Sequence, residues 1–202
     1  MASSSPQPED SRGAGWLGPA AVLIPVKSFA EAKVRLAPAL SPQRRARLAQ
    51  EMAEGVVRSA RGLPVAVVCD DRLVADWARG LGALVVWAPG RGLNRAVQDG
   101  VRYLAGTGVR SVIVAASDLP LAEDLAGLAD ADGITLVPDR RGEGTNVIVV
   151  PTDATFAFSY GPGSFARHCA EAAASGHPWR VIQNAALAWD VDLPADLTVV
   201  CR

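Results

Sequence analysis

Four groups of residues have the types and spacing to do chemistry. The first is the run I-P-V-K-S-F-A-E-A-K-V-R-L, residues 24 to 36, which follows an apolar stretch and places three cations, Lys27, Lys33 and Arg35, in one short segment. Cations clustered beyond a strand end suit a triphosphate, whose charge must be neutralised before an anionic nucleophile can approach. The alternative is a solvated loop with scattered basic residues. The second is Asp118 in S-D-L-P, directly after a wholly apolar run. An aspartate there suits Mg2+ bridging phosphate oxygens, or else an N-cap for the segment that follows.

The third group is W-D-V-D-L-P, residues 189 to 194. Strand alternation would put Asp190 and Asp192 on one side of an extended segment, where two carboxylates repel unless a cation or proton lies between them. With Asp118 they would make a three-carboxylate Mg2+ site. The fourth is G-E-G-T-N with the later Y-G-P-G-S-F. Glycines let backbone approach an anion, and Ser164 at a helix start offers its hydroxyl and the following free N–H groups to a phosphate, with Thr145 adding a second hydroxyl. Taken singly, these are also a hairpin turn and an ordinary Gly-Pro helix start. His168, one turn after Ser164 on the same face, is within reach of such an anion, or is simply packed or solvated. His177 has no visible partner. The sequence supports no Ser-His-Asp arrangement and places no cysteine for nucleophilic work.

The elements that must position these groups alternate short apolar runs with longer amphipathic ones. Strands are predicted over residues 21–26, 64–69, 83–87, 111–116, 134–137 and 146–150, with short extended pieces around Val181 and over residues 189–191. Ser41 is an N-cap ahead of Pro42, and the Leu48, Met52, Val56 spacing carries a helix towards Gly62. Further helices are predicted over residues 72–79, 94–104, 123–128 and 164–174. The fold class is α/β: a single three-layer domain with a mostly parallel mixed sheet of about seven strands. In open sheets of this kind ligands bind beyond the carboxyl ends of the strands, where the first two groups fall.

Composition bounds the function. The chain has 202 residues, 50% hydrophobic and 20% charged, close to an average globular domain and long enough to bury roughly 70% of its unfolded surface without disulfide or structural metal. A formal charge of -1 argues against a sequence-blind nucleic-acid binder or a polybasic membrane-surface protein. Cys69, Cys169 and Cys201 are odd in number and far apart, which fits a reducing cytoplasm. No apolar run approaches the roughly 18 to 20 residues of a membrane span, and no basic-then-apolar leader pattern opens the sequence. Residues 1–19, rich in Ser, Pro and Gly, read as a flexible N-terminal tail, and residues 20–202 as the folded domain.

Six segments in order, I-P-V-K-S-F-A-E-A-K-V-R-L, G-L-N-R-A-V-Q-D-G, S-D-L-P-L, P-D-R-R-G-E-G-T-N, Y-G-P-G-S-F-A-R-H and D-V-D-L-P-A-D-L, resemble the guanylyltransferases of coenzyme F-420 biosynthesis. The resemblance spans Leu23 to Leu197. It implies a nucleotidyltransferase fold like that of nucleotide-diphospho-sugar transferases, and transfer of GMP from GTP to a small phosphorylated three-carbon acid with release of pyrophosphate. It also implies hand-over of the product to a downstream transferase in the cytoplasm. The acceptor in that family is 2-phospho-L-lactate, phosphoenolpyruvate or 3-phosphoglycerate. Heavy use of Ala, Arg and Gly suggests a GC-rich genome and tilts the expectation to phosphoenolpyruvate, giving enolpyruvoyl-2-diphospho-5'-guanosine.

Carried over by position, the resemblance assigns the acceptor's anionic end to Thr145, Gly161 and Ser164, and Mg2+ to Asp118, Asp190 and Asp192. Lys27 and Lys33 would hold the GTP phosphates and serve catalysis with Asp118. Asn94 would lie by the nucleotide, with guanine read by nearby main-chain groups. Two positions depart from the family pattern: Arg95 stands where a small residue is expected, and Leu193 replaces the Thr of D-T-P. The chain lacks the G-G-x-G-x-R opening of sugar nucleotidyltransferases. A sugar-phosphate or pterin-phosphate nucleotidyltransferase and a catalytically silent nucleotide-binding module are the competing readings.

Overall fold

The computed structural model describes residues 17–129 and 132–199. The expected tail therefore lies outside the described residues except for its last three, as does Cys201. Seven strands, β1 (Ala20–Pro25), β2 (Val65–Cys69), β3 (Leu84–Trp87), β4 (Ser111–Ala115), β5 (Ile134–Pro138), β6 (Thr145–Pro151) and β7 (Trp179–Val181), form one sheet in the order β3-β2-β1-β4-β6-β5-β7. β1 pairs in parallel with β2 and β4, and β2 with β3, whereas β6 runs antiparallel between β4 and β5. β7 adds in parallel to β5.

Alternation along the strands builds two cores, one on each face. Val22 and Ile24 of β1 pack with α1 (Pro42–Arg58) and α2 (Arg72–Gly80) through Val56, Val74 and Ala78. The intervening Ala21 and Leu23 pack with α3 (Gly92–Gly106) and α4 (Ser164–Ala174) through Val97, Val101 and Ala172. α3 comes so close to β1 that a Cβ at Gly100 would stand 2.7 Å from a Leu23 methyl. The N-cap read at Ser41 forms, its hydroxyl accepting from the Arg44 amide with Pro42 opening α1.

Two expected elements take other forms. The helix over residues 123–128 reduces to a single 3-10 turn, Ala126–Leu128, because the Leu125 amide donates to the Ser59 carbonyl and the Asp124 carboxylate caps Gly127. The extended piece at residues 189–191 joins no strand. Asn184 accepts the Ala186 and Leu187 amides in a side-chain turn, and the Val191 amide donates to the Asp118 carbonyl, so the segment is drawn to the sheet's end instead of its edge.

This topology positions the site. From β1 the chain leaves towards β2 and β3 on one side, while β4 lies on the other, which makes the β1/β4 boundary a switch point where carboxyl ends diverge. Because β6 is antiparallel, its first residue, Thr145, joins that same end, where the Ala116 amide donates to the Asn146 carbonyl.

Candidate active site

A cleft of about 700 Å3 opens at this end of the sheet, walled by the segment after β1, the segment after β4, Thr145 and Tyr160. Such a volume suits a small-molecule ligand pair. After β1 the backbone makes two 3-10 turns, Phe29–Glu31 and Val34–Leu36, with Lys33 between them in the left-handed region at φ 55°. That conformation costs a non-glycine residue of order 1 kcal/mol and is held by both turns. It turns the Lys33 side chain inward, where it is only 11% exposed and its ammonium donates to Asp118 Oδ2 and, at 3.2 Å, to Asp192 Oδ1. Arg35, 73% exposed, reaches the other oxygen of Asp192 at 3.3 Å. Burial works against the Lys33 charge, but the two carboxylates outweigh it and hold its pKa above the ordinary lysine range.

Asp190 is near enough to feel the charges of Asp118 and Asp192 but, unlike them, does not line the cleft. Its Oδ1 is buried without a hydrogen-bond partner, and its pKa is raised, first by burial and then by the charges of Asp118 and Asp192. The donors fit a divalent cation in kind: hard carboxylate oxygens of Asp118 and Asp192 on the cleft, with the orphaned buried Oδ1 of Asp190 close by. Among the described residues, no three His, Cys, Asp or Glu side chains converge as a ready cage. Mg2+ does not require one, since it is commonly bound through one or two carboxylates plus substrate phosphates.

The D-V-D segment is held by Asp196, an aspartate the sequence reading did not single out. It is fully buried, its carboxylate accepting the amides of Asp192 (2.9 Å) and Leu193 (2.7 Å) and the guanidinium groups of Arg140 and Arg141. Burial pushes its pKa up, but these amides and then the two arginines outweigh that and keep it low. Arg140 also lies over the Trp189 ring at 4.4 Å. Leu193 thus contributes its amide here, and its side chain is 42% exposed. The P-D-R-R-G-E-G loop is shaped by Asp139, whose carboxylate accepts the amides of Arg141, Glu143 and Gly144. A Cβ at Gly144 would stand 2.7 Å from that carboxylate. An aspartate five residues before a glycine in a turn was the readable signal for this loop.

The remaining expected residues are placed as follows. Lys27 is exposed and lines both the main cleft and an adjoining recess of about 50 Å3 at the ends of β1 and β2. Asn94 does not line the cleft: its Oδ1 accepts the Tyr160 amide at 2.8 Å and ties α3 to the loop before α4, while the neighbouring Leu93 faces both spaces. Arg95 is exposed on α3. Gly161, at φ 119°, and Ser164 stand at the start of α4, but Ser164 is 2% exposed. Its amide donates to the Gly161 carbonyl, and the Phe165 amide to the Glu143 carbonyl, so these two amides are not the free phosphate donors that a bare helix start suggests. Thr145 lines the cleft, and its hydroxyl meets His168 Nδ1 at 2.9 Å. His168 is packed and wholly buried, with its pKa pushed down to about 4 by burial and then by Arg167.

Residues 20–201 match the family described as Guanylyl transferase CofC like. The chain is 36% identical over 184 residues to a phosphoenolpyruvate guanylyltransferase of Rubrobacter xylanophilus, covering 87% of this chain and 90% of that one. It is 37% identical over 186 residues to one of Thermomonospora curvata, covering 87% and 80%. A 2-phospho-L-lactate guanylyltransferase of Methanocaldococcus jannaschii is 26% identical over 182 residues, covering 87% and 80%. Among solved structures, a nucleotide-diphospho-sugar transferase of Desulfovibrio desulfuricans superposes with a TM-score of 0.73 at 17% identity, covering 91% of this chain and 86% of that one. A cytidylyltransferase of Leptospira borgpetersenii superposes with a TM-score of 0.57 at 12% identity, covering 90% and 84%. Both have this fold.

Proposed function

The chain belongs to the CofC-like guanylyl transferase family, and from that premise we propose that it transfers GMP from GTP to phosphoenolpyruvate. A phosphate oxygen of phosphoenolpyruvate attacks the α-phosphorus of GTP in line, the α–β bridging bond breaks, and pyrophosphate leaves. The product is enolpyruvoyl-2-diphospho-5'-guanosine, with no covalent enzyme intermediate. The observation that carries this reading is one cleft with a cation-and-carboxylate cluster at Lys33, Asp118 and Asp192 and a threonine hydroxyl at Thr145, in a chain whose relatives bear that activity's name at 36% and 37% identity.

Both reactants are polyanions, so the protein's task is neutralisation and alignment. Lys27 and Lys33 meet the GTP phosphates, and Arg35 adds charge at the rim. Thr145, Gly161 and Ser164 hold the acid's anionic end, and Asn94 fixes the loop that carries Gly161 and leads into Ser164 of α4. Asp118, with Asp190 and Asp192, would hold Mg2+, which when bound neutralises phosphate charge and polarises the α-phosphate. No helix among the described residues is long and apolar enough to cross a membrane. Free Cys69 and Cys169 support a cytoplasmic setting, where a downstream transferase would take over the reactive product.

The test is Mg2+-dependent pyrophosphate release from GTP, with phosphoenolpyruvate, 2-phospho-L-lactate and 3-phosphoglycerate supplied separately and a downstream acceptor present to draw off product. Release with phosphoenolpyruvate alone is expected. Faster release with either other acid would reassign the acceptor, and silence with all three in folded, GTP-binding protein would overturn the activity.

A further inference from the structure

His168 has no place in the chemistry above, yet it is wholly buried and both ring nitrogens are engaged. The Ser159 backbone N–H donates to Nε2 at 3.0 Å. A backbone amide can only donate, so Nε2 carries no proton, and a neutral ring must carry its proton on Nδ1. Nδ1 faces Thr145 Oγ1 at 2.9 Å and therefore donates to it. A threonine hydroxyl has one proton and two lone pairs, and here one lone pair is taken. This is the one hydrogen bond that Thr145 Oγ1 makes among the described residues, and Thr145 lines the cleft.

We propose that His168 is a positioning residue for the acceptor acid: by donating from Nδ1 to Thr145 Oγ1, it commits the Thr145 proton to an anion in the cleft. A hydroxyl that both accepts and donates is a polarised donor, and its rotor is fixed before the ligand arrives. The inference rests on the reading that Thr145 meets the acid's anionic end.

The ring is itself held in place. Tyr160 lies edge-on to it at 5.0 Å between centroids, and Phe156 lies at 5.8 Å. Arg167 donates to the Ser159 and Pro162 carbonyls, both at 2.7 Å, so Ser159 is gripped at its N–H by His168 and at its carbonyl by the neighbouring arginine. Burial, then Arg167, pushes the ring down to about 4, so it stays neutral at ordinary assay pH.

The test is a double-mutant cycle on KM for the acid. His168→Gln retains an acceptor for Ser159 but places no donor at the Nδ1 position, and Thr145→Val removes the hydroxyl at nearly constant shape. Each single change should raise KM for phosphoenolpyruvate about tenfold while leaving KM for GTP in place, and His168→Gln should add nothing in the Thr145→Val background. His168→Asn, which can return an N–H near the Nδ1 position, should recover most of the loss. If Thr145→Val leaves the acid's KM unmoved, the placement of Thr145 fails and the inference fails with it. If Thr145→Val raises KM but the two effects simply add, that placement stands and the role of His168 is overturned. Should His168→Gln not fold, 15N NMR of the histidine-labelled wild-type protein reads the tautomer, and a proton found on Nε2 overturns the inference.

Discussion

The Lys33 ammonium lies between the carboxylates of Asp118 and Asp192, joining residues 85 and 159 positions away in the chain. One cation thus bridges two acids beyond the ends of β1 and β4, and Arg35 supplies the second positive charge at Asp192. That makes Lys33 an electrostatic pin of the cleft.

Replacing Lys33 with Met should therefore cost stability as well as rate. Removing one partner of a largely buried ion pair leaves uncompensated charge; with Asp192 partly exposed, a loss of about 2 kcal/mol is expected in urea unfolding. Millimolar Mg2+ should raise the melting temperature of this variant more than that of the wild type, because Asp118 has lost its cation and Asp192 keeps only the exposed Arg35. An equal shift in both proteins would count against cation binding at Asp118 and Asp192.

Asp118→Asn keeps the shape and removes the charge. Turnover should fall at least about a hundredfold while circular dichroism stays near wild type, with the melting temperature lowered because the buried Lys33 ammonium keeps only Asp192 as its partner. A near-normal rate would take Asp118 out of the reaction.

Asp196→Asn tests the anchor beneath the site. The side chain is fully buried against Arg140 and Arg141, so leaving those guanidinium groups unpaired should cost about 3 kcal/mol. The released 190–193 segment should also raise the Mg2+ concentration needed for half-maximal rate. Unchanged stability would show that the buried cluster contributes nothing net.

Stability should depend on pH through His168. Its ring takes up a proton below about 6.5 in the unfolded chain but only below about 4 in the native core. Between those values the unfolded state binds more protons, so stability is full above 6.5 and falls as pH drops towards 4, by up to about 3 kcal/mol. His168→Gln should lose this part of the slope. Parallel stability profiles from pH 7 to 4 for the two proteins would refute it.

Much of the fold was legible because its signals are local. Apolar runs four to six residues long placed β1 to β6 within a residue or two, and the Ser41-Pro42 start of α1 is a nearest-neighbour effect. The 189–191 piece misled because alternating Asp-Val-Asp looks like a strand. What fixes that segment is distant: the Asp118 carbonyl and the Asp196 carboxylate, which no periodicity reveals.

The candidate site was legible as types and not as contacts. Lys33, Asp118, Asp192 and Thr145 line one cleft; a position after a strand end suggests this for Lys33 and Asp118, while Asp192 and Thr145 are marked by their own motifs and not by strand ends. The sequence could not show that Lys33 faces inward on a left-handed turn, that Asn94 grips the Tyr160 amide, or that His168 stands behind Thr145. By itself it determined an α/β sheet with cations and carboxylates gathered at its carboxyl end, because hydrophobic period and turn chemistry act over a few residues. Only the tertiary structure decided which charges neutralise each other and where each proton points. Those outcomes depend on burial and on partners up to 159 residues apart, brought together by strand order.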